Sequence, residues 1–600
     1  MSVASRRQYL MDAVITGTLG FIAFLVGFGR SPLDLREPLG AGDLTYYYAL
    51  INVHSPGNAV SPQFGFPLGF DSSYFPVSDW IQILSAQAIS AITGTTYFGL
   101  NATYALSFPV AAIFAWFACR LASMPRVLSI LVGIAFTALP SHWFRVEHIT
   151  LVTIYSLAVS LCIAMIIVTG RIDRDAPAGG LGRRAWILIA CGLAIVVALS
   201  GLYYTFYGVM LVLLAVLFRV SKASTVRGWA LNLVPVLVAG AVTLMAMSPG
   251  ISTRLSSDGE VGYERPIYDA VLYSGQLIDA ILPTSVSLMP LLGQLSRPLA
   301  GVNDWANEMN TLGVRWIADH GTTLTLLAAV FLVLWIALWG GSRHVAHDRE
   351  LARADRVTIR QIRSNIVFLV TAAVLTAGFF MPFGFGTYFA TAVTLNFRGW
   401  DRMITLFQLL LLVALGLIAS LALLRVRQSR RELVLVIGVA LAAGSILLDA
   451  VWPARSFYDA QLLKGQEQVH AASMVVDDVE AAAPEGCPIL QLPYRQFPEA
   501  APLERLGVYE PLWLGLVDRT RPWSYGGVYG SAQDQWLLRI AADPVARLGE
   551  LKAAGFCGIL VDARGYTPQG LDEVTADLDR GLGQPVVAQG VEPVLIYRIP

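Results

Sequence analysis

Residues 80–94 read WIQILSAQAISAITG. Whether this run crosses a membrane fixes the side on which every later segment lies. It is apolar, but it is short and holds two glutamines, Gln82 and Gln87. A crossing helix needs about 20 mostly apolar residues. The run therefore reads as a helix lying at the membrane interface, not as a span.

Composition places the whole chain in a membrane. Of 600 residues 55% are hydrophobic and only 14% charged, whereas a soluble domain carries roughly 25% charged residues. Mean hydropathy is +0.59. Lys+Arg and Asp+Glu both number 42, so net charge points to no nucleic-acid partner. Eleven apolar runs qualify as spans: 10–29, 98–120, 125–141, 149–170, 185–201, 203–220, 229–247, 321–340, 364–382, 403–424 and 432–450. The start, MSVASRRQYL, is basic like a signal peptide, but no small-residue cleavage site follows, so 10–29 reads as a retained first span.

Orientation follows from the placement of Lys and Arg. With the N-terminus in the cytoplasm and eleven alternating spans, the cytoplasmic connections are 120–126, 171–184, 219–228, 342–363 and 425–431, and every one is basic. The opposite segment 30–79 has only Arg30 and Arg36 against Asp34, Glu37, Asp43, Asp71 and Asp79. Counting 80–94 as a span would invert this agreement. The expected division is a transmembrane domain over 1–450, with external loops 30–97 and 248–320, and an extracytoplasmic domain over 451–600. That tail alternates strand-like runs, CPILQLP (487–493), FCGILVDA (556–563) and PVLIYRI (593–599), with helix-like stretches, which predicts a small α/β domain. It has no Gly-rich phosphate loop, so ATP is not supported as an energy source. Cys487 and Cys557 lie in predicted strands, where a disulfide and two buried thiols are both open readings. No CxxC or Cys/His cluster marks a metal or redox site.

Ionisable groups gather at the expected outer edge, where they are costly unless paired or functional. Asp43 precedes Tyr46, Tyr47 and Tyr48 in LGAGDLTYYYAL (39–50). LPSHWFRVEHITL (139–151) holds His142, Arg145, Glu147 and His148. VNDWANEMNTLG (302–313) holds Asp304 and Glu308, and LNFRGWDRMITLF (395–407) holds Arg398, Asp401 and Arg402. Plainer readings stand beside these. The tyrosines fit an interface belt, the arginines fit snorkelling to headgroups, Glu308 fits a solvated loop, and His148 fits a neutral ring satisfied by a carbonyl. Two arginines four residues apart at an external helix start nevertheless run against the positive-inside rule. On a helix Arg398 and Arg402 would share a face, as would Arg145 and His148 if their turn were helical. Arginine suits a lipid-linked phosphate, and a nearby carboxylate suits a general base acting on a hydroxyl.

This arrangement resembles the GT-C glycosyltransferases, integral membrane enzymes that use polyprenyl-phosphate-linked sugars. GDLTYYYAL is similar to their acidic first-loop motif. FPLGFDSSYF (66–75), LPSHWFRVEHITL and NEMNTLG (307–313) are similar to segments of uncharacterised bacterial members. The resemblance implies a GT-C-like helical membrane fold in a bacterial-type plasma (inner) membrane, with a role in the cell envelope or cell wall. It implies Asp43 as general base, with Glu147, Asp79 or Glu308 as a second acid. It implies Tyr46, Tyr47, Asp79, His142, Arg145, His148, Arg398 and Arg402 around the substrates. The partners implied are a polyprenyl-phosphate-linked sugar donor, a glycan or lipid acceptor and membrane lipids. No particular cofactor is indicated, and a divalent metal stays open. Nothing matches the WWD-type motif of oligosaccharyltransferases, so protein N-glycosylation is not expected. Competing expectations are a transporter or flippase of a lipid-linked sugar, or a glycan polymerase or ligase. Transporters tend to show inverted repeats and sites near the midplane, and no repeat is visible here.

Overall fold

The computed structural model describes residues 3–53, 60–72, 78–173, 181–220, 226–256, 265–289, 317–341, 353–498, 503–587 and 594–600. Each of the eleven apolar runs is helical over most of its length, with 125–141 and 149–170 each divided between two helices. Among the described residues seven helices are long and apolar enough to cross a membrane, and four shorter apolar helices stand beside them. The protein is thus a multi-pass helical membrane protein. Arg126–Thr137 has 12 residues and Tyr155–Val168 has 14. At about 1.5 Å per residue neither covers a hydrocarbon core of about 30 Å. Tyr155–Val168 is apolar on all sides because every one of its residues is buried inside the bundle.

The run at 80–94 forms the helix Trp80–Thr93, again 14 residues. Gly94 (φ +75°) ends it, and the chain turns directly into the 26-residue helix Thr96–Leu121. The two helices touch closely at Gly99, where a Cβ would sit 2.4 Å from the Ala86 carbonyl oxygen. Both glutamines face protein. Gln82 donates to Thr153 Oγ1 at 2.9 Å and to the Ser200 carbonyl at 3.0 Å. Gln87 donates to the Ile51 carbonyl at 3.0 Å. The helix is therefore fastened to the connections at one end of the bundle.

The last apolar run does not stop at residue 450. Gln428–Ala482 is one continuous 55-residue helix, with a π-turn at Leu447–Val451. The division between 1–450 and 451–600 falls inside it, so the chain passes from bundle to tail with no loop. Asp449, in the π-turn, is fully buried and accepts from Ser287 Oγ (2.7 Å), Thr323 N (2.6 Å) and Ser445 Oγ (3.1 Å).

Two small sheets complete the molecule. Strands β1 (Val60–Ser61) and β2 (Phe70–Asp71) pair antiparallel in the first loop. In the tail β3 (Ile489–Leu492), β4 (Gly558–Asp562), β5 (Val586–Val587) and β6 (Val594–Arg598) form a sheet of order β3-β4-β6-β5. Strands β3 and β4 run parallel, and the other pairs are antiparallel. Alternate residues face opposite sides. Leu490, Leu492, Ile559, Val561 and Tyr597 pack with Leu537, Leu551 and Leu578 of the tail helices. Ile489, Leu560, Val594 and Ile596 join the main core with Ala472, Val475 and Val479 of the long helix. Both faces are covered, which is why these strands read as unbroken apolar runs. Cys487 and Cys557 are placed as a disulfide with Cα atoms 6.2 Å apart.

The first loop is bonded into the tail. Gly65 N donates to the Tyr525 carbonyl at 2.8 Å, Phe66 N to Trp523 at 3.1 Å, and Trp523 N back to Gln63 at 2.8 Å. Loop and tail therefore form one assembly over the end of the bundle that carries Asp43.

Candidate functional site

Asp43 opens the 11-residue helix Asp43–Val53, directly after Gly42 in the left-handed region (φ +67°). A helix N-terminus favours a carboxylate. His148 Nε2 meets Asp43 Oδ2 at 2.6 Å, with side-chain exposures of 30% and 42% respectively. The pair is thus built yet open to solvent. Burial alone would push the Asp43 carboxyl up. The His148 hydrogen bond and charge, with the fields of Arg402 and Arg398, outweigh it and hold Asp43 below its ordinary range.

Glu147 lies on the other side of Gly42, where an added Cβ would stand 3.6 Å from Glu147 Oε2. It pairs with Lys464 of the long helix at 3.5 Å. Three distant parts of the chain, 42–43, 147–148 and 464, thus meet at one spot. Lys464 is one of three lysines in the sequence, but nothing local to it signals this meeting.

The arginines follow from the start of helix Ile404–Arg425. The preceding turn, Trp400–Met403, is 3-10, and Arg398 lies before it. The shared helical face expected for Arg398 and Arg402 therefore does not form, because only Arg402 is inside a helical turn. The two are held by aromatic rings instead. Arg402 sits over Tyr203 at 4.1 Å and Arg398 over Tyr273 at 4.5 Å. Arg398 also pairs with Asp269. Both cations still act on Asp43 through space.

The turn 144–148 is not helical either, so Arg145 and His148 face different ways. Arg145 is buried and bonded to Asp319 and to Asp401, the latter at 2.6 Å. Its Nη2 is shared between these two protein carboxylates. Asp401 thereby turns inward while its neighbour Arg402 keeps partial solvent contact. His142 is fully buried, stacked on Phe108 at 3.7 Å, with Nδ1 2.7 Å from the Thr137 carbonyl and Nε2 2.8 Å from Ser107 Oγ. It belongs to the bundle core.

The tyrosines pack within the protein. Tyr48 is buried, donates to Asn101 Oδ1 at 2.9 Å and accepts from Leu39 N at 3.0 Å. Tyr46 meets Tyr47, Phe497 and Tyr509 at 5.3, 5.4 and 5.8 Å, so it touches the tail. Tyr46 and Tyr47 also pack on Leu50 and Ile83. Asp79, at the start of Trp80–Thr93, keeps partial solvent contact deep between elements, and burial pushes its carboxyl up to about 7. Its charge reaches Tyr46. Asp304 and Glu308 lie outside the described residues. Among the described residues no group of three or more His, Cys, Asp or Glu is placed to hold a metal ion.

No family model and no curated protein matches the sequence. Solved structures with a similar course include ArnT from Cupriavidus metallidurans bound to undecaprenyl phosphate. It is 12% identical with a TM-score of 0.47, over 100% of this chain and 99% of that one. AglB, the archaeal oligosaccharyltransferase from Archaeoglobus fulgidus, in complex with an inhibitory peptide and a dolichol-phosphate, is also similar. It is 14% identical with a TM-score of 0.43, over 94% of this chain and 70% of that one. At these values the likeness carries no argument about chemistry, which rests on the site.

Proposed function

We propose that the protein is a membrane glycosyltransferase that moves a sugar from a polyprenyl-phosphate-linked donor to a hydroxyl of a glycan or lipid acceptor. The observation that carries this reading is the solvent-accessible Asp43–His148 pair in the field of Arg402 and Arg398. The acceptor O–H gives its proton to the Asp43 carboxylate. The acceptor oxygen attacks the anomeric carbon as the bond from that carbon to the phosphate oxygen breaks, and the phosphate leaves with the electron pair. Fixed guanidinium groups stabilise its charge without reorganising. His148 donates to Asp43 Oδ2 and so directs the free oxygen of the carboxylate toward the acceptor. Arg145 acts at one remove, by anchoring Asp401 and so the turn that carries Arg402.

An apolar cavity of about 60 Å³ lined by Tyr207, Leu211, Phe379, Met403 and Leu406 adjoins this turn. It suits the first units of an isoprenoid tail. Lipids of that class are named with two similar structures, undecaprenyl phosphate with ArnT and dolichol-phosphate with AglB. The basic loops support a cytoplasmic N-terminus and an extracytoplasmic site in a bacterial-type inner membrane. A carboxylate within the field of two arginines at one end of the bundle favours transfer over transport. The test is incubation of the purified protein with a panel of polyprenyl-phosphate sugars and acceptors, following donor cleavage in a single turnover. Export of intact donor without cleavage would instead indicate a flippase.

A further inference from the structure

A second hollow lies beside the Asp43 site. Between helix Trp452–Ala482 and the carboxyl ends of β3 and β4 is a cavity of about 110 Å³. Ligands of α/β sheets gather beyond such strand ends. Its volume holds on the order of ten water-sized sites, comparable to one pyranose ring.

The walls join two kinds of group. Trp513 and Tyr525 supply aromatic surface, and Glu510, Asp562 and Arg564 supply charge. Arg564 stands between the two carboxylates, 2.7 Å from Glu510 Oε2 and 2.7 Å from Asp562 Oδ2. All three keep partial exposure. The buried indole N–H of Trp513 has no acceptor among the described residues, a state that calls for a partner. Two contacts tie this cavity to the Asp43 site. Gln468, in its wall, is one helical turn beyond Lys464, which pairs with Glu147. Tyr509, next to Glu510, stacks on Tyr46 at 5.8 Å.

We propose that this cavity is a saccharide subsite and, resting on the transferase reading above, that it holds a sugar unit of the acceptor. A sugar ring offers C–H faces to aromatic surface and hydroxyls at its edge. The row Glu510–Arg564–Asp562 provides acceptors and donors for those hydroxyls, and the Trp513 N–H finds a ring or hydroxyl oxygen. Arg564 is taken by the two carboxylates, and Arg495, whose charge reaches Glu510, is buried and bonded to the Leu506 carbonyl, so among the described residues the lining leaves no cation for the carboxylate of a uronate. The subsite therefore takes a neutral or amino sugar and rejects a uronate.

The test uses full-length protein in detergent, with methyl β-galactoside, methyl α-mannoside, N-acetylglucosamine, glucosamine and glucuronate as probes in saturation-transfer NMR. At least one neutral or amino sugar is expected to bind and glucuronate is not. Ala472→Trp, which fills the cavity, should abolish binding, and Glu510→Gln should weaken it on the order of tenfold. Melting temperatures identify a variant that fails to fold, and the milder Glu510→Gln then decides. In turnover at saturating donor, both variants should raise the acceptor KM. The proposal is overturned if no probe binds the wild type, if glucuronate binds as well as the others, or if binding survives both substitutions. Occupation by an alkyl chain in place of sugar overturns it too. Sugar binding lost in Ala472→Trp, in a protein that cleaves no lipid-linked donor, would keep the subsite and discard the transferase reading.

Discussion

Two ion clusters start from the same short turn and differ in what they can do. His148 reaches the Asp43 carboxylate, and both keep about a third of their side-chain surface in solvent, at 30% and 42%. Arg145, three residues earlier, is 7% exposed and locked between Asp319 and Asp401. A buried ion pair has its hydrogen-bonding capacity consumed by its partners, and losing one partner strands the other. An exposed pair retains a free lone pair for a substrate proton. The same residue types thus serve structure in one place and chemistry in the other, and burial sets which.

The sharpest way to break this contrast is Asp43→Asn. Transfer should fall by about 10²–10⁴ in single-turnover assays with saturating donor, with an unchanged melting temperature. Transfer at the wild-type rate would remove Asp43 as base and bring Glu147 forward.

Arg145→Met should do the reverse. It leaves Asp319 and Asp401 facing each other in a buried site, and loss of one partner of a buried pair costs about 3–5 kcal/mol. Thermal unfolding of the solubilised protein should show a large drop. A stable variant with weak donor binding would show that Arg145 contacts the phosphate itself.

Arg402→Ala addresses the donor. A hydrogen bond to a charged group contributes about 1.5–3 kcal/mol, so donor affinity should weaken by about 10–100-fold, with a small effect on stability. Equilibrium binding of a polyprenyl phosphate measures it.

The smallest effect is in the pH profile. Asp43 is held below its ordinary range, so its carboxylate persists until the pH falls through that lowered value. If Asp43 is the base, the acid limb of the rate lies below about 3.9, the ordinary aspartate value. If Asp79 is the base, the limb lies near 7, where burial places its carboxyl. A limb near 7 that disappears in Asp79→Asn would transfer the role.

The sequence by itself determined the membrane class, the helical nature of the eleven apolar runs and the strands of the tail. These depend on local runs of apolar residues and on periodicity, which survive without knowledge of distant contacts. It also singled out Asp43, because an acid after GxG at the edge of an apolar chain is locally conspicuous. Hydropathy alone did not show that Tyr155–Val168 is buried on every side by protein, since burial in protein and burial in lipid favour the same residues. Tertiary structure alone decided the fates of His142, Arg145 and His148, which entered as one cluster and ended in the core, in a buried ion pair and on Asp43. It also brought Lys464 to Glu147 and Tyr203 under Arg402. Those pairings join residues hundreds of positions apart, and the direction of a side chain at a non-helical turn is set by what packs behind it.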